Sequence, residues 1–318
     1  MSGPTTWRLP ETARGWVTDG GLETDLIFHR GLDLPDFASF PLMDDPVGLG
    51  VLDDYYRGYA EVAAREGTGL LLETPTWRAN ADWGARLGYG ADALHRVNRD
   101  AVTHLRGLAD EVPDGVEQVL VVGVVGPRGD GYLAGDLDAE RYADYHRPQV
   151  AAFAEAGADL ATAYTLTTVA EAVGVVRAGQ AVGIPVAVSY TVETDGRLPD
   201  GTPLGDAIEQ LDAATDGGAA HVLVNCAHPD HVSPGLSTAA PWTERIAGIE
   251  VNSSRLTHAE LDEAEELDEG DLPDLTRRTR ELAESLPSVR IVGGCCGTDV
   301  RHIAAFWDGW SPVVARGH

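Results

Sequence analysis

Val289-Arg290-Ile291-Val292-Gly293-Gly294-Cys295-Cys296-Gly297-Thr298 reads as a short buried strand that runs into two glycines, two adjacent thiols and a third glycine. Glycine frees the backbone for dihedrals that other residues avoid and lets neighbouring groups approach closely. Consecutive cysteines rarely reach the side-chain geometry of a disulfide, so a pair presented at a strand end suits a metal better. The chain has one more cysteine, Cys226, and it too closes a short apolar strand, in Val222-Leu223-Val224-Asn225-Cys226. Three thiolates from two strand ends would hold one soft cation and leave a fourth position open. The fold must then bring the C-terminal ends of these two strands together.

Outward from these two strands the same pattern recurs along the chain. Short, nearly continuous apolar runs predict strands at 15–21, 68–74, 119–125, 158–164, 184–190, 220–225, 246–252 and 289–292. Helical spacing fills the intervals, as at 47–66, 91–112, 139–156 and 204–214, and a helix at 167–178 has Thr167 or Thr168 as its cap. A coarse count gives eight strands and eight helices in alternation. Strands of this kind belong to a parallel sheet covered on both faces, and eight βα units predict an α/β fold of the (β/α)8 TIM-barrel type. An open doubly wound sheet is the alternative. Its dinucleotide fingerprint is absent, because Pro127 and the spacing spoil the glycine pattern of Gly123-Val124-Val125-Gly126-Pro127-Arg128-Gly129. Residues 1–318 are read as a single barrel domain, a length that such barrels reach with insertions.

Composition removes several kinds of chemistry. The formal charge is −28, and all 23 residues counted as Lys or Arg are arginine. Without lysine there is no lysine Schiff base and no P-loop lysine. The acidic surplus repels nucleic acid and anionic membranes. It suits a salt-loaded cytoplasm, where ions screen the self-repulsion, although arginine-rich codon usage gives a similar composition. No apolar run is long enough to span a membrane, and residues 1–18 lack the apolar stretch of a signal peptide. These features predict a cytoplasmic protein. The acidic segment 260–274 reads as a solvated insertion.

In a barrel of this type the C-terminal strand ends face the active site. Cys226, Cys295 and Cys296 lie there, and so do Asp19, Glu73, Tyr164 and Tyr190. Zinc is the best candidate for three thiolates, since it prefers such ligands and keeps one position open in catalytic sites. A substrate thiol in that position would ionise near neutral pH. A closed Cys3His site completed by His221, His228 or His231 is the structural alternative.

At this point the residues resemble a family, the zinc-dependent homocysteine S-methyltransferases. The resemblance covers nearly the whole chain. Its most specific parts are Gly293-Gly294-Cys295-Cys296-Gly297-Thr298 and Val224-Asn225-Cys226, similar to the family's zinc-ligand motifs. Asp19-Gly20-Gly21-Leu22-Glu23-Thr24 resembles its N-terminal motif, where the aspartate and the glycine turn border the amino-acid substrate. Glu73-Thr74-Pro75-Thr76-Trp77-Arg78-Ala79-Asn80 and Gly123-Val124-Val125-Gly126-Pro127 resemble the loops after the second and third strands. The resemblance implies a stand-alone enzyme that takes a methyl group from a small donor such as S-methylmethionine. It implies zinc on Cys226, Cys295 and Cys296, with the substrate held by Asp19, Gly20, Gly21, Glu73 and Tyr164.

One departure stands out. Many members carry Glu-Thr after the fourth strand, and that glutamate helps hold the amino group. Here the match is Tyr164-Thr165, and a tyrosine brings no charge near neutral pH. Glu73 and Glu193 are the carboxylates placed to compensate, and Tyr164→Glu is expected to leave activity intact or improve it. A cationic donor would suit Trp77 or Trp83. The rival readings are the same chemistry on another thiol, a zinc hydrolase, and a non-catalytic barrel stapled by zinc. The expected partners are a small thiol acceptor and a methyl donor, with no nucleic acid and no membrane; a homo-oligomer fits as well as a monomer.

Overall fold

Eight short strands pair in sequence order, every one parallel to its neighbours, and β1 closes on β8. They are β1 (Trp16–Val17), β2 (Gly69–Glu73), β3 (Val119–Val125), β4 (Leu160–Leu166), β5 (Val186–Tyr190), β6 (Val222–Asn225), β7 (Ile246–Val251) and β8 (Ile291–Gly294). The computed structural model describes residues 7–236, 240–262, 264 and 266–312. The closed barrel is the (β/α)8 architecture read from the sequence, and the open sheet is set aside.

Side chains alternate along a strand with a period of two, and here the two sets form two layers. Trp16, Leu71, Val122, Val124, Leu160, Tyr164, Ala187, Leu223 and Ile291 pack together inside the barrel. Their neighbours Val17, Leu70, Leu72, Val121, Val125, Ala161, Ala163 and Val292 join the larger cluster that packs against the helices. By the same parity Glu73, Asn225 and Glu250 follow Leu71, Leu223 and Gly248 inward at the C-terminal end. The opposite end is plugged by the chain start. Trp7 and Leu9 pack against the interior cluster, and the Trp16 indole donates to the Pro10 carbonyl at 3.1 Å.

The helices largely follow the sequence reading. Pro46–Glu66 is capped by Asp45, whose carboxylate accepts from Val47 and Gly48. Thr168 caps Val169–Val182, as its hydroxyl accepts from Glu171 N at 3.3 Å. The alternation breaks once. Between β6 and β7 the described residues hold a four-residue helix, Pro229–Val232, and 3-10 turns in place of a full crossover helix. Pro229 opens the short helix at its first position, where no donor is needed, and Pro234 stops its continuation by removing a backbone donor that a longer helix would use.

The acidic stretch 260–274 is not simply solvated surface. Leu261, Ala264, Leu267 and Asp268 line the cavity at the barrel mouth. Ser253 and Ser254 hydroxyls hold the backbone and carboxylate of Asp268 at 2.5 and 2.6 Å. Residues 263 and 265 lie outside the described residues.

Ion pairs such as Arg255 with Asp230 and Arg278 with Asp274 are exposed or half-buried. They use up arginines and leave the acidic surplus uncompensated. Added salt screens this repulsion. The melting temperature should therefore climb by many degrees as potassium chloride is raised from dilute buffer into the molar range. A thermal melt that stays flat over that range would show that the acidity has another origin.

No helix among the described residues is long and apolar enough to cross a membrane.

Candidate metal centre and substrate cavity

Cys226 follows β6 with φ of +53°, a left-handed conformation that costs a non-glycine residue energy and is tolerated chiefly at functional sites. Its amide donates to the Glu250 carbonyl at 3.0 Å, which anchors the turn to β7. Cys295 and Cys296 follow β8 directly. Gly293 lets that strand approach β1, for a Cβ there would lie 1.7 Å from Thr18 Oγ1. The glycine turn after β1 docks on the cysteine turn through Gly21 N to Thr298 O at 3.0 Å and Gly294 N to Asp19 O at 2.9 Å. A Cβ on Gly21 would sit 2.6 Å from the Cys295 carbonyl. The Asp19-Gly20-Gly21 motif and the cysteine motif thus form one folded unit.

The three Sγ atoms lie within 4.8 Å of one another. No histidine joins the cluster among the described residues. His221 sits just ahead of β6, 6.0 Å from the Trp7 ring. His228 Nδ1 accepts from Asp230 N at 3.1 Å, and His231 Nε2 contacts the Arg255 carbonyl at 3.1 Å. The closed Cys3His alternative therefore has no ligand to complete it.

Three hydrogen bonds surround the thiols. The Tyr132 hydroxyl lies 3.4 Å from Cys226 Sγ, Asn252 Nδ2 donates to the same sulfur at 3.6 Å, and Asn225 Nδ2 donates to Cys295 Sγ at 3.9 Å. Without a cation, the close approach of Cys295 and Cys296 pulls Cys226 well below the ordinary thiol range, and Cys226 in turn pushes the other two thiols up. One thiolate is favoured and a second is resisted. A soft dication at the centre would reverse that resistance, and the donor set fits zinc.

Beside the thiols lies a cavity of about 450 Å³. Asp19, Glu23, Glu73, Tyr164, Asn225 and Glu250 contribute to its lining. The Tyr164 hydroxyl stands 2.5 Å from Glu73 Oε1 and 2.7 Å from Glu250 Oε1. A hydroxyl carries one proton, so it can donate to only one of them, and the other carboxyl must bring its own proton to make the second hydrogen bond. Burial, with Glu250 nearby, pushes Glu73 well above the usual carboxylate range; burial also raises Glu250, as does the charge of Asp19. Burial and the charge of Glu73 raise Asp19 too.

Of the residues singled out from the sequence, Asp19, Gly20, Gly21, Glu73, Tyr164 and the three cysteines all line this cavity. Glu193 does not; its carboxylate contacts His258 Nδ1 at 3.0 Å. Glu73 does lie beside Tyr164, and on the same hydroxyl stands a second acid, Glu250, which sequence reasoning passed over. A lone glutamate at an inward position of β7, after Gly248, was the available signal. Asn225 was quoted in the motif but its task is structural as well. It binds Thr165 N at 2.9 Å and Ser189 Oγ at 2.7 Å, fixing the left-handed turn at Thr165, φ +59°. The chain's own cations already lie against the indoles of Trp77 and Trp83, the two rings expected to suit a cationic donor. The guanidinium of Arg78 lies over both, 4.3 and 3.6 Å from the ring centroids, and Arg86 lies over Trp83 as well.

Keeping Glu73 ionised in this cluster costs stability. Its folded pKa is raised above the unfolded value. Its contribution is therefore most favourable below the unfolded pKa and is lost as pH rises through the folded one. Glu73→Gln should melt a few degrees above wild type at pH 8 and level with it near pH 4. Equal melting temperatures at both pH values would show that Glu73 is not a strained acid.

A parallel barrel thus gathers a three-thiol cluster and buried carboxylates around one cavity at its mouth. Residues 16–308 match the model of the homocysteine S-methyltransferase family, and the chain belongs to that family. It is a methyltransferase. It is 29% identical to homocysteine S-methyltransferase from Escherichia coli, over 91% of this chain and 93% of that protein. It is 25% identical to homocysteine S-methyltransferase YbgG from Bacillus subtilis, over the same shares. The fold is similar to the oxidized form of the homocysteine methyltransferase MmuM from Escherichia coli, with TM-score 0.70 and 23% identity, covering 92% of this chain and 95% of that one.

Proposed function

We propose that this chain moves a methyl group from a small sulfonium donor such as S-methylmethionine to the thiol of homocysteine, giving methionine, with zinc on Cys226, Cys295 and Cys296. The observation that carries the reading is the convergence of three thiols, with no fourth protein ligand among the described residues, on a cavity lined by Asp19, Glu73 and Glu250. Residues 1–318 act as one barrel domain, in a cytoplasm that keeps its three cysteines reduced.

The chain's residues divide the work. Cys226, Cys295 and Cys296 supply the thiolates, and Asn252, Asn225 and Tyr132 stabilise charge on them through hydrogen bonds. Zinc, when bound, supplies the Lewis acidity that makes an acceptor thiol a thiolate near neutral pH. Asp19, Glu73 and Glu250 attract the substrate ammonium. The turn built by Gly20 and Gly21 holds Asp19 beside the cysteine turn, and β2 and β7 carry Glu73 and Glu250 to the same mouth, so the acceptor sulfur is fixed for an in-line approach. The new carbon–sulfur bond forms as the methyl–sulfonium bond breaks, its electron pair returning to the donor sulfur, which leaves as a neutral thioether. The acceptor's thiol proton passes to solvent.

A donor-by-acceptor screen read by mass spectrometry, with and without a chelator, tests the reading. Methionine should form from homocysteine and S-methylmethionine, and chelation should abolish it. Preferential methylation of 4-mercaptobutyrate, which has no amine, would move the assignment to another thiol.

A further inference from the structure

The charged residues around the cavity are unevenly divided. Asp19, Glu23, Glu73, Asp130, Glu250, Glu266 and Asp268 are acidic, and among the described lining residues Arg78 is the one arginine. The residue is 8% exposed. It makes no ion pair within 4.0 Å with any described residue. One of its guanidinium nitrogens, Nη1, donates to the Gly129 carbonyl at 3.3 Å, while Nε is buried with no partner. A buried guanidinium usually carries paired, forked hydrogen bonds to an anion. This one lies over the Trp77 and Trp83 rings instead, 4.3 and 3.6 Å from their centroids. Burial pulls its pKa down to about 10, and through-space attraction from Asp130 and Glu23 opposes this.

The rings take none of its N–H donors in a conventional hydrogen bond, so donors remain for something else. Trp77 in turn packs against Gly131, where an added Cβ would lie 3.3 Å from both the indole and Thr165 Cγ2. The next residue, Tyr132, reaches Cys226. A short chain of contacts therefore runs from Arg78 to the thiol centre. An amino acid brings both charges at once. The acids suit its ammonium, and nothing else in the described lining offers a cation to its carboxylate.

We infer that Arg78, lying against Trp77 and Trp83, binds the carboxylate of an amino-acid co-substrate and so selects zwitterions over simple thiols or simple sulfonium ions. The inference rests on the methyl-transfer reading for the identity of the ligands. The carboxylate belongs either to the acceptor or to the donor, and the two sources can be told apart.

Calorimetric titration separates them without requiring turnover. Wild type, Arg78→Gln and Arg78→Lys are each titrated with homocysteine and with 3-aminopropanethiol, its decarboxylated counterpart. S-methylmethionine and (3-aminopropyl)dimethylsulfonium form the second pair. Arg78→Gln should weaken one carboxylated ligand by about tenfold or more and leave its decarboxylated partner unchanged. Arg78→Lys should recover part of the loss. The affected pair names the source. Melting curves of both variants show whether the barrel is intact. Equal weakening within each pair, no weakening, or wild-type protein that does not distinguish carboxylated from decarboxylated ligands overturns the inference. Carboxylate-selective binding that depends on Arg78, in a protein that forms no methionine, would leave Arg78 as assigned and overturn the reaction instead.

Discussion

Cys226→Ala should purify with little zinc and lose methyl transfer almost entirely. Residues that only support a metal ligand typically contribute about 10–100-fold to affinity or activity. Removing one of three ligands should therefore cost more, about a thousandfold or greater in kcat/KM. The geometry also dictates a graded series. Asn252 donates to Cys226 Sγ at 3.6 Å without being a ligand, so Asn252→Ala should keep its zinc but bind it more weakly. Both variants should remain folded, since the barrel interior under the thiols is apolar and does not depend on them. Zinc content by mass spectrometry, with circular dichroism on the same samples, decides the matter. A Cys226→Ala protein that is folded and fully loaded would show that the thiol cluster is not the metal centre.

The cysteines were legible in the sequence because they sit after apolar strands at positions only a closed parallel barrel brings together. The same reading located Asp19 and Glu73. It missed Glu250 because one glutamate in a strand looks like an exposed residue until the register is known. β7 pairs Glu250 with Asn225 on β6 and Gly293 on β8, and only that pairing turns its side chain toward Tyr164. Arg78 was hidden for a different reason. A tryptophan-arginine pair in a loop suggests a surface for binding a cation, whereas here the chain's own cation lies against the rings. The incomplete helix between β6 and β7 was hidden behind the general alternation, although its prolines were in view.

The largest effect on acceptor binding should come from Glu250→Gln, with Asp19→Asn close behind. If the acceptor is homocysteine, its ammonium must be neutralised in a buried cavity, and removing one charged partner costs on the order of 2–5 kcal/mol. The apparent KM for homocysteine should rise by at least about tenfold, while that for 4-mercaptobutyrate should fall or stay level. The structure also reverses the expectation for Tyr164→Glu. The hydroxyl already lies between Glu73 and Glu250, so a glutamate there would place a third carboxyl among two that already resist ionisation. That variant should be less stable and less active. Tyr164→Phe is the cleaner probe. It keeps the ring that fills the barrel and removes the hydrogen bonds that hold the two acids in place. Its kcat should change little and its homocysteine KM should rise, since Tyr164 acts through Glu73 and Glu250. A Tyr164→Glu enzyme more active than wild type on homocysteine, together with an Asp19→Asn enzyme of unchanged KM, would show that the ammonium is read elsewhere in the cavity.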